Sequence, residues 1–334
     1  MVTRRAMQRL GRRKLLLGVA SFAALQASSL PLPAQPVAKI PVIGMLDGGK
    51  RLGWWKAFLE GMSELRYVEG KSVLYEPRYA EGDLERLRAL AEDLVRRQVA
   101  VIVTASTAAA LAAKRATDQI AIVTATGTDH VSLGLAATLA HPEGNVTGLS
   151  TLATDLTEKR VELLRQIVPE LSRLAVLWQS DNPGSTTQFR DLERAAEARK
   201  IALQNVGIRK AGELPAAFSA AAKAHAQALY VIGGPLTMDE QAQIDSLARK
   251  HKLPMVHSIS SLEGGSLISY GVHYEDLFRR AAGYVDRILK GAKPGDLPIE
   301  QPTRFELVIN AKIARTLGIT IPRPMLLRAD RVIE

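Results

Sequence analysis

From Ile40 onward, short apolar runs alternate with longer amphipathic stretches, and the series is played through twice. IPVIGML (40–46) ends at Asp47-Gly48-Gly49 and reads as a buried strand followed by a turn. Between Trp54 and Tyr67, the residues Trp55, Phe58, Leu59, Met62 and Leu65 recur at helical spacing. Strand-like runs follow at 72–80, 99–107 and 119–126, with a helix opened by Asp83, a second over 108–118 and a third expected over 131–140. After EGNVTGLST (143–151) the order restarts. Helical patterns at 155–169, 185–200, 213–225 and 238–252 separate apolar runs at 173–180, 201–208, 227–234 and 253–260. Apolar strands joined by helices of about ten to fifteen residues demand crossover connections and parallel sheets covered on both faces. The expected fold is therefore α/β, with two Rossmann-like lobes and EGNVTGLST between them.

A third section breaks the pattern. GGSLISYG (264–271) is a strand with glycines at both ends, a long helix follows from Tyr274, and TRFELVIN (303–310) is a last strand. This arrangement returns the chain to the first lobe and finishes it on the second, giving three crossings. The expected division is 39–147 with 268–298 in one lobe, and 148–267 with 299–330 in the other.

The first 34 residues read as a secretory signal. Residues 1–14 are basic, Leu15–Leu25 is apolar, and ASSLPLPAQP is small and proline-rich. The apolar run is too short for the ~20 residues that span a bilayer. Arg12-Arg13 before Leu15-Leu16-Leu17 resembles a twin-arginine signal, with Gly11 where Ser or Thr is usual. The net charge of +10 loses its nucleic-acid meaning here. Arg4, Arg5, Arg9, Arg12, Arg13 and Lys14 supply much of it, with no acid before residue 39. No nucleic-acid partner is expected. The chain has no cysteine, which excludes disulfides, thiolate nucleophiles, Cys-based metal sites and a lipid-anchored cysteine.

Enzyme signatures fail in turn. GMLDGGKR (44–51) approaches a phosphate-binding loop, but Arg51 stands where a Ser or Thr hydroxyl would hold magnesium. There is no G-x-G-x-x-G after a strand and no G-x-S-x-G elbow. His130, His141, His225, His251, His257 and His273 are scattered, and are expected as surface or capping residues. No catalytic group, metal or cofactor is assigned. What remains is a set of polar loops at strand ends: Asp47-Gly48-Gly49, Ala105-Ser106-Thr107, Thr126-Gly127-Thr128-Asp129, Gln179–Asn182 and Gly233-Gly234-Pro235. In open α/β sheets ligands bind at the carboxyl ends of strands. Helix N-termini at Ser106 and Thr107 attract anions such as carboxylates.

Asn145-Val146-Thr147 also fits a glycosylation acceptor, while the flanking glycines fit a chain crossing between lobes. The mature chain from residue 40 to 333 resembles the periplasmic substrate-binding proteins of ABC importers, the group in which some members bind tryptophan and related amino acids. The resemblance is carried by GMSELRYVEGKSVLYEPRYAEGD (61–83), HPEGNVTGLST (141–151), KRVELLRQIVPELSRLAVLW (159–178) and the long run 269–322. It implies a type I periplasmic-binding fold with ligand in a cleft between lobes joined by three crossings. EGNVTGLST becomes the first crossing, and Asn145, Thr147, Gly148 and Gly271 are expected as hinge residues. It also implies a periplasmic monomer that hands its ligand to an ABC permease and its ATPase. An exported sensor for a receptor, or an α/β enzyme, shares the outline. Trp54-Trp55 and Thr128-Asp129-His130 depart from the usual family pattern, the latter standing where Gly-Asp-Pro is more common.

The expected ligand is a small, carboxylate-bearing, amino-acid-like molecule. Ser106 and Thr107 are expected to hold its carboxylate, Asp129 or Asp47 its ammonium, and Trp54 or Tyr270 to cover its side chain. Gly48, Thr126, Gly127 and Thr128 complete that lobe's lining, and Asn182 and Gly234 close from the other. N-terminal sequencing of the exported protein is expected to begin between Leu30 and Val37; an intact Met1 on mature protein contradicts the signal.

Overall fold

The structure is a computed structural model and describes residues 39–151, 154–259 and 264–334, with the side chains of 154 and 155 excepted. The expected signal at 1–34 lies outside the described residues. The chain folds in the order β1 (Val42–Asp47), α1 (Leu52–Glu64), β2 (Leu74–Tyr79), α2 (Arg86–Arg96), β3 (Val101–Thr104), α3 (Thr107–Ala116), β4 (Ala121–Thr124) and β5 (Val146–Gly148). There follow α4 (Thr154–Ile167), β6 (Arg173–Leu177), α5 (Pro183–Glu197), β7 (Ala202–Asn205), α6 (Leu214–Lys223), β8 (Ala228–Val231), α7 (Pro235–Asp239), α8 (Gln241–Lys250) and β9 (Met255–His257). The last elements are β10 (Ile268–Val272), α9 (Tyr274–Leu289), β11 (Phe305–Asn310), α10 (Ala311–Leu317), α11 (Arg323–Arg328) and β12 (Arg331–Ile333).

Two sheets result, a five-stranded one ordered β2-β1-β3-β4-β5 and a seven-stranded one ordered β12-β11-β10-β9-β8-β6-β7. The first is parallel throughout. The second is parallel except where β11 meets β10. The central strands are apolar on both faces because each face packs separately. In β3, Val101 and Val103 face α1 and α9, while Ile102 faces α2 and α3. In β8, Ala228 and Tyr230 face the α4–α5 side, and Leu229 and Val231 the α6–α8 side. A strand's period of two thus feeds two cores at once.

The chain leaves the first lobe after β5, returns from β10 into α9, and leaves again near Glu300. Two crossings run side by side, with Ser150 N donating to Glu300 O at 2.9 Å and Glu300 N to Gly148 O at 3.0 Å. α9 buries Leu277, Phe278, Ala281, Ala282, Tyr284 and Val285 on one face. It lies close on α1: a Cβ at Gly61 would come within 2.8 Å of Arg279 O. Among the described residues, no helix is long and apolar enough to cross a membrane.

Two expectations are corrected. The strand at 268–272, expected in the first lobe, is hydrogen-bonded between β9 and β11 in the second sheet, so the return crossing comes at His273 rather than before Ile268. No helix forms over 131–140; the segment is a run of turns with Gly134 at φ +70°. The residues expected at the hinge are held by hydrogen bonds and packing at or near the crossings. Asn145 donates to Thr117 O and Ile120 O and accepts from Lys114 Nζ at 2.7 Å. Thr147 lies in β5 and donates to Leu297 O at 2.7 Å, and Gly271 pairs with Glu306 in the sheet. Gly148 is needed for its backbone: φ is +124°, and a Cβ would sit 2.6 Å from Thr124 N.

Gly148→Ala is expected to cost ~3 kcal/mol, because left-handed strain and a clash with immovable backbone add. Gly70→Ala, at φ +77° with open space around it, should cost only ~1 kcal/mol. Urea midpoints compare them; equal losses contradict the steric account.

Candidate functional site

The carboxyl ends of β1, β3 and β4 meet those of β6, β8 and β9 across a narrow cleft. At the end of β1, Asp47 is fully buried. A buried carboxylate is costly unless paired and hydrogen-bonded. Asp47 accepts from Gly49 N at 2.9 Å, Trp55 Nε1 at 3.0 Å and Arg51 Nε at 3.1 Å, and is ion-paired with the Arg51 guanidinium. Burial lowers the Arg51 pKa to about 10, against the opposing pull of Asp239, so it stays charged at neutral pH. Arg51 also lies 5.5 Å from the Trp54 ring centre, a cation–π distance. The loop that approached a phosphate-binding motif is thus a self-neutralised clasp. It also touches the other lobe, since Lys50 N donates to Asp239 Oδ1 at 3.2 Å.

The next two loops brace each other. Ser106 caps α3, its Oγ accepting from Ala109 N at 3.2 Å. Thr107 Oγ1 accepts from Thr128 N at 3.0 Å and lies 3.1 Å from Thr128 Oγ1. Thr126 Oγ1 donates to Ala105 O at 2.8 Å. His130 supports this loop from below: its ring would touch a Cβ at Gly127 at 3.0 Å, and Nε2 lies 3.0 Å from Thr124 Oγ1. Burial lowers its pKa to about 4, so the ring is neutral at pH 7. His257 is likewise buried, with its pKa lowered to about 3 by burial and by the nearby Arg160. Both correct the expectation of surface or capping histidines; His273 does cap α9, accepting from Asp276 N at 3.3 Å.

From the second lobe, Asn182 caps α5, its Oδ1 accepting from Gly184 N at 3.0 Å. Pro183 at the first helical position suits that start. Ser185 is buried and its Oγ has no hydrogen-bond partner. The lobes meet closely. A Cβ at Gly184 would lie 2.8 Å from Thr107 Oγ1, one at Gly48 2.7 Å from Pro235, and Gln179 Nε2 donates to Gly82 O at 3.1 Å. Between them is a cavity of about 50 Å³ lined by Trp54, Ser106, Thr107, Thr126, Gly127 and Thr128 from one lobe. Asn182, Ser185 and Gly234 line it from the other, with Arg51, Thr151, Gln188 and Tyr274 completing it. A second cavity of about 30 Å³ shares Thr128, Thr151, Gln188 and Tyr274, and adds Arg160 and Asp191. Larger hollows lie outside, of about 360 Å³ beside α2 and α3 and about 630 Å³ at the Glu81–Glu85 rim. Neither collects a buried polar atom lacking a partner, whereas the interlobe cavity holds the Ser185 hydroxyl.

Eight of the expected ligand residues therefore line one space: Trp54, Ser106, Thr107, Thr126, Gly127, Thr128, Asn182 and Gly234. Four do not line either cavity. Asp47 is consumed by Arg51 and Trp55, and Gly48 packs on Pro235. Asp129 turns to Ser132. Tyr270 sits in β10 against Phe305, with its carbonyl accepting from Arg160 Nε at 2.5 Å. The second aromatic at the cleft is Tyr274, four residues further along the chain at the start of α9, stacked on Trp54 with centroids 4.4 Å apart. Arg51, Ser185, Asp191 and Arg160 were not expected. The Asn-Pro-Gly-Ser start of α5 carried the signal for Ser185, since Asn before Pro marks a helix beginning at 183 rather than 185. Among the described residues, no group of three or more His, Asp or Glu could hold a metal ion.

Asp47→Asn is expected to destabilise the fold by ~3–5 kcal/mol, because it strands a buried guanidinium. Adding Arg51→Met should recover part of that loss, giving strong non-additivity in urea unfolding; simple additivity contradicts the pairing.

Two of the chain's relatives are described by a small-molecule ligand. A family model described as ABC transporter substrate binding protein matches residues 39–333. A tyrosine-binding protein of Clostridioides difficile is 26% identical over 265 residues, which is 79% of this chain and 76% of that protein. A Streptococcus pneumonia ABC domain in complex with L-Trp superposes with TM-score 0.82 and 26% identity, covering 88% of this chain and 99% of that one. A conserved domain protein of Vibrio cholerae gives TM-score 0.83 and 28% identity, covering 88% and 100%. With its two helix-covered sheets, its three crossings and a match along nearly the whole of the described chain, this protein belongs to the ABC transporter substrate-binding protein family.

Proposed function

We propose that this chain captures a small, amino-acid-like carboxylate outside the cytoplasmic membrane and hands it to an ABC permease driven by its ATPase. The observation that carries the ligand class is the meeting of two helix N-termini at one unpaired hydroxyl. α3 and α5 both start at the cavity, capped by Ser106 and Asn182, and the Ser185 hydroxyl faces it with no partner. The positive ends of two helices favour negative charge there, and a carboxylate supplies the missing acceptor. The Arg51 charge is already balanced by Asp47, so the helices and hydroxyls carry this recognition.

Asp191 is the partner for an ammonium group, shared with Arg194. It is 8% exposed, lines the adjoining cavity and is ion-paired through Oδ1 with the more exposed Arg194, which leaves Oδ2 for a ligand. Burial raises its pKa, against the nearby Arg194, so an incoming cation would favour its ionised form. The likeness to proteins described by their tyrosine and L-Trp ligands supports the amino-acid class. The first moving body is formed by 40–148 with 274–298, the second by 154–272 with the chain after 300. Ligand closes them about the paired crossings, as in other hinged binders. The basic and apolar leader directs the chain to the periplasm.

A thermal-shift and calorimetric screen over amino acids, other carboxylates and sugars tests the reading. A ligand at 100 times its Kd should add ~2.7 kcal/mol of stability and raise Tm by several degrees. Ser185→Ala should weaken binding about tenfold or more, as loss of a hydrogen bond to a charged group does, with unliganded stability little changed. A response to neutral sugars alone sinks the carboxylate assignment.

A further inference from the structure

The side-chain part of the cleft is filled by the protein itself. Trp54, on α1, stacks face to face on Tyr274, the first residue of α9, with centroids 4.4 Å apart and ring planes 15° apart. Phe278 backs the pair at 5.8 Å from Trp54, and the Arg51 guanidinium lies 5.5 Å from the Trp54 ring centre. Trp54 is only 6% exposed. Tyr274 lines both cavities and Trp54 the larger, so the stacked rings bound the space on one side. What they leave is about 50 Å³ and about 30 Å³. An apolar cavity of ~150 Å³ is the size that takes up a benzene molecule. A ligand ring therefore has no room beside the pair, and the face of Trp54 that would receive it is already covered by Tyr274.

We infer that the Trp54–Tyr274 stack is an internal plug that restricts this site to compact amino acids of the size of glycine, alanine or serine, and excludes aromatic ones. The inference rests on the amino-acid reading of the site and narrows it. The plug is held from three directions, since Phe278 packs behind it, Arg51 is tied to Asp47, and Tyr274 begins the helix that lies on α1. Moving it aside for a larger ligand would break the stack and disturb a buried ion pair, while a small one leaves the stack in place. This sets the chain apart from the relatives described by their tyrosine and L-Trp ligands.

Isothermal titration of the mature protein with glycine, L-alanine, L-serine, L-tyrosine and L-tryptophan tests the inference. The small amino acids are expected to bind, and the aromatic ones at least ~100-fold more weakly, within the range that a pocket's size imposes on rejected substrates. Tyr274→Ala is expected to raise affinity for L-tyrosine or L-tryptophan at least ~10-fold while lowering that for glycine less. Should Tyr274→Ala fail to fold, mass spectrometry of ligand released from denatured wild-type protein reads the same question: a compact amino acid supports the plug and an aromatic one overturns it. Wild-type binding of L-tyrosine or L-tryptophan as tight as that of glycine or alanine overturns the plug and leaves the carboxylate reading standing. Absence of binding to every amino acid overturns the plug together with the amino-acid reading, and leaves the carboxylate reading to the wider screen.

Discussion

Parallel strands buried on both faces end at the same edge of their sheet, and this geometric constraint organises the whole molecule. Each lobe needs helices on both faces to cover strands such as β3 and β8, whose alternate residues feed separate cores. The helices force every crossover to run the same way, so the loops after the parallel strands gather along one edge. Two such edges face each other here. The polar loops after β1, β3, β4, β6 and β8 then have nowhere to go except the cleft, and the chain must cross between lobes beside it.

The chemistry of the cleft follows from that convergence more than from any single charged group. Its buried charges are mostly answered from within. Asp47 neutralises Arg51, and Arg160 spends its guanidinium on Tyr270 O, Ser258 O and the Tyr230 hydroxyl. What is left to attract a ligand is weaker and more directional: the starts of α3 and α5, and hydroxyls held at fixed angles by their own hydrogen bonds. Such preorganised dipoles lose little freedom when a ligand arrives, which favours binding by cutting the ordering cost. The neutral His130 beneath Gly127 belongs to this scheme, for it fills the space under a loop that must not sag.

Much of this was legible along the chain because it depends on local chemistry. The α/β order, the strands and the anion-friendly start at Ser106 follow from periodicity and from side chains that bond their own backbone. The Trp54–Trp55 pair was visible, but the two rings have opposite fates. Trp55 turns into the core and donates to Asp47, while Trp54 turns to the cleft. Adjacent helical positions differ in direction by about a quarter turn, and a periodic pattern assigns a face without saying what lies opposite.

The amino-acid sequence by itself determined where most strands and helices run, that they form two α/β lobes, and which loops carry polar groups to a common edge. These properties are set by neighbours within a few residues. Tertiary structure alone decided who meets whom at distance. It assigned β10 to the second sheet, because its backbone finds partners in both β9 and β11. It spent Asp47 on Arg51, placed Gly148 in a strand where a Cβ would meet backbone, and put Tyr274 rather than Tyr270 on Trp54. Each of these outcomes rests on the pairing of groups from separate elements, and desolvation makes such pairing obligatory only once the surrounding sheets and helices have closed over them.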